Sequence, residues 1–210
     1  MVTDRPPINE PLRTEYFRSD RLRSVEAPTD SRLRAPAASI EAALGAGEAR
    51  ALRDACVEFL LAAADFYGIA RPQIRVLTTR PLRVREGGWS SELFGDYHPE
   101  KKLIRVWMRT AVRKQVTSYG TFLSTLCHEF CHHLDMERLG FRDTPHTQGF
   151  YERAAELYHH ARGTPAKRLF WAPMRDGRFR IDWPRTNRGA CEGGPGTGSV
   201  SAKGVSGRAD

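Results

Sequence analysis

The sequence predicts an α+β fold, a few helices packed on a short three-stranded sheet, with disordered tails at both ends. Two long stretches, 39–70 and 116–161, carry apolar residues at helical spacing. Between them lie short β-branched runs separated by turn signals, and another short β piece follows the second stretch.

Residues 1–38 contain Pro6, Pro7, Pro11, Pro28 and Pro36, mixed charge and few apolar side chains, and read as a flexible N-terminal arm. Residues 39–186 form the expected domain, and the Gly/Ser-rich stretch 187–210 reads as a disordered tail. The spacing predicts one helix from Ser39 to Tyr67, closed by Gly68. Ile74–Thr78 alternates β-branched residues with arginine and reads as a strand, and Gly87-Gly88 as a turn. Ser91–Tyr97 and Leu103–Met108 read as a hairpin around His98-Pro99-Glu100-Lys101. A second helix is expected from about Thr110 to Leu139, with a break near Gly120, and a third from Thr147 to Ala161. A last hairpin is expected around Asp176-Gly177.

Composition narrows the function classes. The chain has 210 residues, 40% of them hydrophobic, and a formal charge of +8. It lacks an apolar run long enough to cross a membrane and a signal-like start. Four cysteines (Cys56, Cys127, Cys131, Cys191) do not make a disulfide framework at this length, so a reducing cytoplasm is the expectation, with a monomer as the default. The positive charge is concentrated: residues 71–114 hold eleven Lys/Arg against four Asp/Glu, and residues 162–188 eight against two. Such stretches suit an anionic partner such as DNA.

Residues 126–135 read LCHEFCHHLD. On a helix His128 and His132 lie one turn apart on a single face, with Glu129 about 100° round. Two imidazoles at this spacing can hold a metal, and the intervening carboxylate can reach a water on it. Zinc suits imidazole ligands with an open fourth position. Tyr119, Phe122, Leu123, Leu126, Phe130 and Leu134 fall on the opposite side, so the helix would bury its back and turn the histidines to a cleft. The third-ligand candidates are His146, Glu152 and Glu156. The stripe Phe150, Ala154, Leu157 and Ala161 favours His146, which projects near its edge, while both glutamates project far from it.

LCHEFCHHLD followed by PHTQGFYERAAELY, after a basic hairpin strand, resembles the SprT-like zinc metalloproteases over roughly Ala51–Ala161. These include Spartan-type enzymes, which digest proteins crosslinked to DNA. The resemblance implies a small gluzincin-like core, one catalytic Zn2+ on His128, His132 and His146, and Glu129 as catalytic base. Two features depart from the pattern. Thr147-Gln148 intervene before Gly149 where many members have glycine directly after the third histidine. Only Cys191 stands where several members carry a cysteine-rich zinc module, so the resemblance is to a type lacking that module, and DNA engagement is expected from the core or tails.

The expected function is therefore zinc-dependent hydrolysis of peptide bonds, with protein or peptide as substrate and DNA-associated proteins as one class. The alternatives are a metal-dependent nuclease and a non-catalytic zinc-containing adaptor that binds nucleic acid. Leu103–Met108 is expected as an edge strand able to pair with an extended substrate. Lys101, Lys102, Arg105 and Arg109 suit either contact with acidic substrate or nucleic acid, or protection of that edge from aggregation. Asp135 suits either a partner behind the ligands or an exposed acid near a helix end. Cys127 and Cys131 read as small buried residues, and His133, His159 and His160 as surface residues. Tyr151 and Tyr158 suit oxyanion stabilisation, though no sequence signal brings either to the metal.

Overall fold

A computed structural model describes residues 1–84 and 90–189. The expected Gly87-Gly88 turn, Cys191 and residues 190–210 of the expected tail lie outside them. The fold is α+β, in the order α1 (Glu10–Arg21), α2 (Arg34–Ala46), α3 (Ala49–Tyr67), β1 (Gln73–Thr79), β2 (Leu82–Val84), β3 (Ser90–Glu92), β4 (Gly95–His98), β5 (Leu103–Arg109), α4 (Tyr119–Glu137), α5 (Gln148–Arg162), β6 (Trp171–Pro173), β7 (Phe179–Ile181) and α6 (Trp183–Gly189). None of the described helices is long and apolar enough to cross a membrane.

The main sheet has the order β1-β5-β4. The expected hairpin forms between β4 and β5, with Tyr97 opposite Ile104 and His98 opposite Leu103. A 3-10 turn over Pro99–Lys101 joins them, closed by Lys102 in the left-handed region at φ 45°. On its other side β5 pairs in parallel with β1, Ile74 opposite Ile104 and Val76 opposite Val106. Leu103–Met108 is therefore the central strand and not the expected edge. Its near-continuous apolar run, with Ile104 and Val106 at 0% exposure, is what a strand paired on both sides requires. The edge role falls to β4. Ser90–Glu92 leaves the expected hairpin and pairs with β2 instead.

Three helix expectations change. The single helix over Ser39–Tyr67 is two, because Gly47 turns left-handed at φ 72° and ties its N–H back to Ala43 and Leu44. Residues 110–118 are not helical: Thr117 donates to Met108, and Ser118 caps α4 by accepting from the Thr121 N–H. Gly120 thus lies in the first turn of α4 rather than at a break. Residues 183–189, across the expected domain boundary, form α6.

Residues 1–38 are not a free arm. Asn9 caps α1 by accepting from the Leu12 N–H, and Tyr16 and Ser19 are buried. Polar contacts that hydropathy does not register hold the segment in place. Arg153 of α5 donates to the Ser19 and Leu22 carbonyls at 2.9 and 2.5 Å, satisfying free acceptors at the end of α1. The same carbonyls crowd Gly149, where a Cβ would lie 2.3 Å from Ser19 O, so only glycine lets α1 end against the first turn of α5. Arg18 donates to Leu139 and Gly140, and Glu15 accepts from Arg142, so α1 also braces the loop after α4.

Helix α4 lies between two apolar clusters. The larger joins Phe59 and Leu60 of α3, Ile104 and Val106 of β5, and Phe122, Leu126 and Phe130 of α4. The smaller joins Cys131 of α4 to Phe150, Tyr151 and Ala154 of α5, with Leu169 and Ile181 from around the β6–β7 hairpin. The candidate site sits on the α4 face between them.

Candidate metal centre

His128 and His132 lie one turn apart on α4, and their Nε2 atoms are 3.2 Å apart. After α4, Gly140 at φ 67° turns the chain, buried Phe141 anchors the loop, and Pro145 delivers His146 just before the α5 cap, Thr147. His146 Nε2 reaches His128 Nε2 at 3.1 Å and His132 Nε2 at 3.2 Å. These three are the described cluster able to hold a metal ion. Metal–nitrogen bonds of about 2.0–2.1 Å in a tetrahedron place ligand atoms about 3.3–3.4 Å apart. The observed triangle is within 0.3 Å of that, so the donor set fits a tetrahedral ion with one open position.

Two contacts behind the rings fix their tautomers. His146 Nδ1 donates to the Asp4 carboxylate at 3.2 Å, and His132 Nδ1 meets Thr144 Oγ1 at 2.9 Å. With the proton on Nδ1, each Nε2 presents a lone pair to the centre. Thr144 Oγ1 lies 3.4 Å from Asp135, which pairs with Arg153 at 2.7 Å, both side chains being fully buried. Asp135 thus stands behind His132, through Thr144, and is not an exposed acid. Burial raises its carboxyl to about 6 against the pull of Arg153. Burial likewise pushes His128 down to about 3 and His132 well below the usual imidazole range, with the neighbouring histidines adding to both shifts. Neutral rings are the form that binds metal. Phe150 stacks on His132, with centroids 4.4 Å apart, and Tyr151 on His146 at 5.6 Å.

Glu129 is 5% exposed and lies beside β4. Burial, and secondarily Asp96, raises its carboxyl to about 8. A Cβ at Gly95 would lie 2.9 Å from Glu129 Oε1, so glycine in β4 permits this approach. Glu129 and the three histidines border one cleft of about 570 Å³, with Gly95, Asp96 and Tyr97 of β4 on one wall and Asp4 and Arg5 among the other lining residues.

The other candidates are placed elsewhere. Glu152 accepts from Arg23 and Trp171, in a separate groove, and Glu156 accepts from the Val25 N–H. Arg105 forms a two-point pair with Asp96 at 2.7 and 2.5 Å, Lys102 pairs with Glu137, and Arg109 donates to Lys114 O, while Lys101 is exposed. Three of the four expected contact residues are thus already engaged within the chain. His133 is fully buried and not a surface residue: it bonds Tyr97 and the Ala70 carbonyl, tying α4 to β4 and the loop before β1. His159 and His160 are half-buried. Burial pushes the Cys127 and Cys131 thiols up, keeping them protonated and unsuited to metal. Tyr151 spends its hydroxyl on the Val2 carbonyl, and Tyr158 meets Arg162.

Asp4, Thr144 and Gly95 were missing from the sequence reading. A glycine inside a predicted strand is a signal for close approach and pointed to Gly95; Asp4 lies 142 positions from its partner and carries no local signal. No family model, curated protein or solved structure matches the chain, so the functional reading rests on the site itself.

Proposed function

We propose that the chain is a zinc-dependent metalloendopeptidase of the SprT-like type. The observation that carries this reading is a three-histidine Nε2 triangle sharing one cleft with the Glu129 carboxylate and the edge strand β4. His128, His132 and His146 would hold the ion. Bound there, zinc would supply a Lewis acid and lower the pKa of a water it holds. Glu129 would be the base that takes a proton from the attacking water and returns it to the leaving amine. Burial disfavours the glutamate's charged form in the metal-free cleft, and a divalent charge on the three histidines favours it again. β4 has a sheet partner only on its β5 side among the described residues, so its other edge can pair with an extended peptide.

The cleft favours peptide over phosphodiester. Asp4, Asp96 and Asp143 line it, and Arg5, the one arginine or lysine among the lining residues described, reaches out to Asp176. Proteins bound to DNA remain the substrate class that would give the basic segments a purpose. The test incubates a basic DNA-binding protein with the zinc-loaded chain, with and without single-stranded DNA, and reads fragments by intact mass. Wild type is expected to cut, Glu129→Gln to hold zinc without cutting, and His146→Ala to lose zinc while Glu152→Ala and Glu156→Ala keep it. Fragments that need DNA establish DNA-directed cleavage. Fragments that persist in Glu129→Gln refute the mechanism, and zinc retained without any Glu129-dependent cutting supports the adaptor alternative.

A further inference from the structure

We infer that Asp4, delivered by the N-terminal segment, is a positioning residue of the metal centre that holds His146 in its ligating orientation. The inference rests on the reading of the three histidines as metal ligands. Three hydrogen bonds join the two residues. Asp4 N–H donates to the His146 carbonyl at 2.8 Å, His146 N–H donates to Asp4 Oδ2 at 2.8 Å, and His146 Nδ1 donates to the same oxygen at 3.2 Å. One carboxylate oxygen thus fixes both the backbone and the ring of the ligand.

His146 needs such a clamp more than the other two ligands do. His128 and His132 are fixed by the backbone of α4, whereas His146 precedes α5 on a loop that contains Thr144 at a strained φ of 31°. Its ring has Tyr151 on one face, and Asp4 holds the Nδ1 side. A carboxylate there also raises the basicity of the opposite nitrogen, Nε2, which faces the centre.

Asp4 is itself seated by its neighbours in the chain and by other elements. Val2 forms an isolated antiparallel bridge with Arg180 of β7; Thr3 donates to Phe179 O at 2.8 Å and its side chain accepts from Phe179 N–H at 2.9 Å. Tyr16 of α1 donates to the Asp4 carbonyl, and Tyr151 to the Val2 carbonyl, each at 3.0 Å. The segment is therefore fixed from α1, α5 and β7 by contacts that do not involve the three histidines, and these hold the carboxylate in place.

The test uses the full chain as wild type, Asp4→Ala, Asp4→Asn, Asp4→Glu and His146→Ala. It measures zinc affinity by competition with a chelator, the visible spectrum of the Co2+ form, and the thermal midpoint of the metal-free protein. Asp4→Ala is expected to bind zinc about 10- to 100-fold more weakly, with altered Co2+ bands and a metal-free midpoint close to wild type. Asp4→Asn, which keeps an acceptor without the charge, should fall between Asp4→Ala and wild type, and Asp4→Glu should recover part of the loss. Wild-type affinity and spectrum in Asp4→Ala overturn the inference. Should Asp4→Ala not fold, the same wild-type behaviour in Asp4→Asn overturns it. If wild type binds no zinc, or His146→Ala binds as well as wild type, the metal reading itself fails and the inference with it.

Discussion

Gly95→Ala is the smallest change that tests how Glu129, the proposed general base, is placed. The new Cβ would lie 2.6 Å from Thr125 Cγ2 and 2.9 Å from both Cγ and Oε1 of Glu129. Ordinary carbon–carbon contact is about 3.5–4.0 Å, so β4 and α4 must part by about 1 Å or Glu129 must move by as much. Thr125 cannot turn aside at no cost, because it is β-branched and its hydroxyl donates to the Thr121 carbonyl at 2.9 Å. Overpacking of this kind costs about 1–3 kcal/mol, and a 1 Å misplacement of a catalytic group costs on the order of 100-fold in rate. Zinc should be retained, since none of the three histidines touches the added atom. Thr125→Ser in the Gly95→Ala background removes the 2.6 Å contact and should return most of the stability, with less of the rate because Glu129 remains crowded. Urea unfolding gives the stability, cleavage kinetics the rate and chelator titration the zinc. A Gly95→Ala protein as stable and as active as wild type would refute the close-approach reasoning, as would a double variant showing no recovery.

Two further outcomes follow from buried charge. Arg153→Met leaves fully buried Asp135 unpaired and removes the donor to the Ser19 and Leu22 carbonyls, so urea unfolding should show a loss of about 3–5 kcal/mol, with Arg153→Met/Asp135→Leu recovering part of it; a loss under about 1 kcal/mol would sink this account. In the metal-free protein His128, lowered to about 3, contributes stability that is lost as pH falls below about 6.5, whereas Glu129, raised to about 8, contributes stability that is present below about 4.5 and lost as pH rises towards 8. Glu129→Gln removes the second effect, so between pH 7 and pH 5 its stability should drop relative to wild type by about 2–3 kcal/mol, and parallel pH–stability curves would contradict the assignment.

What the sequence made legible follows the range of the interaction. His128, Glu129 and His132 sit within one helical turn, where spacing alone sets the geometry, and helical phase sufficed to prefer His146 over Glu152 and Glu156. The β4–β5 hairpin and the closing hairpin at Asp176-Gly177 were legible for the same reason, since each pairs neighbours across a turn. The parallel pairing of β1 with β5 was not, because β2, β3 and β4 intervene and no local signal reports a crossover. Residues 1–38 were misread because few apolar side chains anchor them; Arg153, Arg18 and Asp4 do so through backbone carbonyls and a carboxylate, which hydropathy does not register. His133 was misread because its burial depends on Tyr97 and Ala70, both brought to it by the sheet.

The site lies where two cores of unequal strength meet, and this determines what a metal would add. The larger cluster, built on α3, β5 and the back of α4, fixes His128 and His132 whether or not a metal is present. The smaller one holds few buried side chains, and on it rest the first turns of α5, the turn of chain with His146 and the hairpin beside Asp4, while Leu157 and Ala161 at the far end of α5 pack into the larger one. Polar contacts help to join the two sides: Arg153 of α5 to Asp135 of α4, and His132 of α4 to Thr144 of the loop before His146. Each is worth only about 1–3 kcal/mol net. An ion bound by two histidines of α4 and one of the loop before α5 would add a bond across that same junction, so its free energy would fall on docking of the His146 turn rather than on the main core. The cleft opens along this junction, with Glu129 on the strong side and Asp4 on the weak one. On the proposed reading, the general base Glu129 thus stands on the larger core and the opposite wall of its cleft on the smaller one.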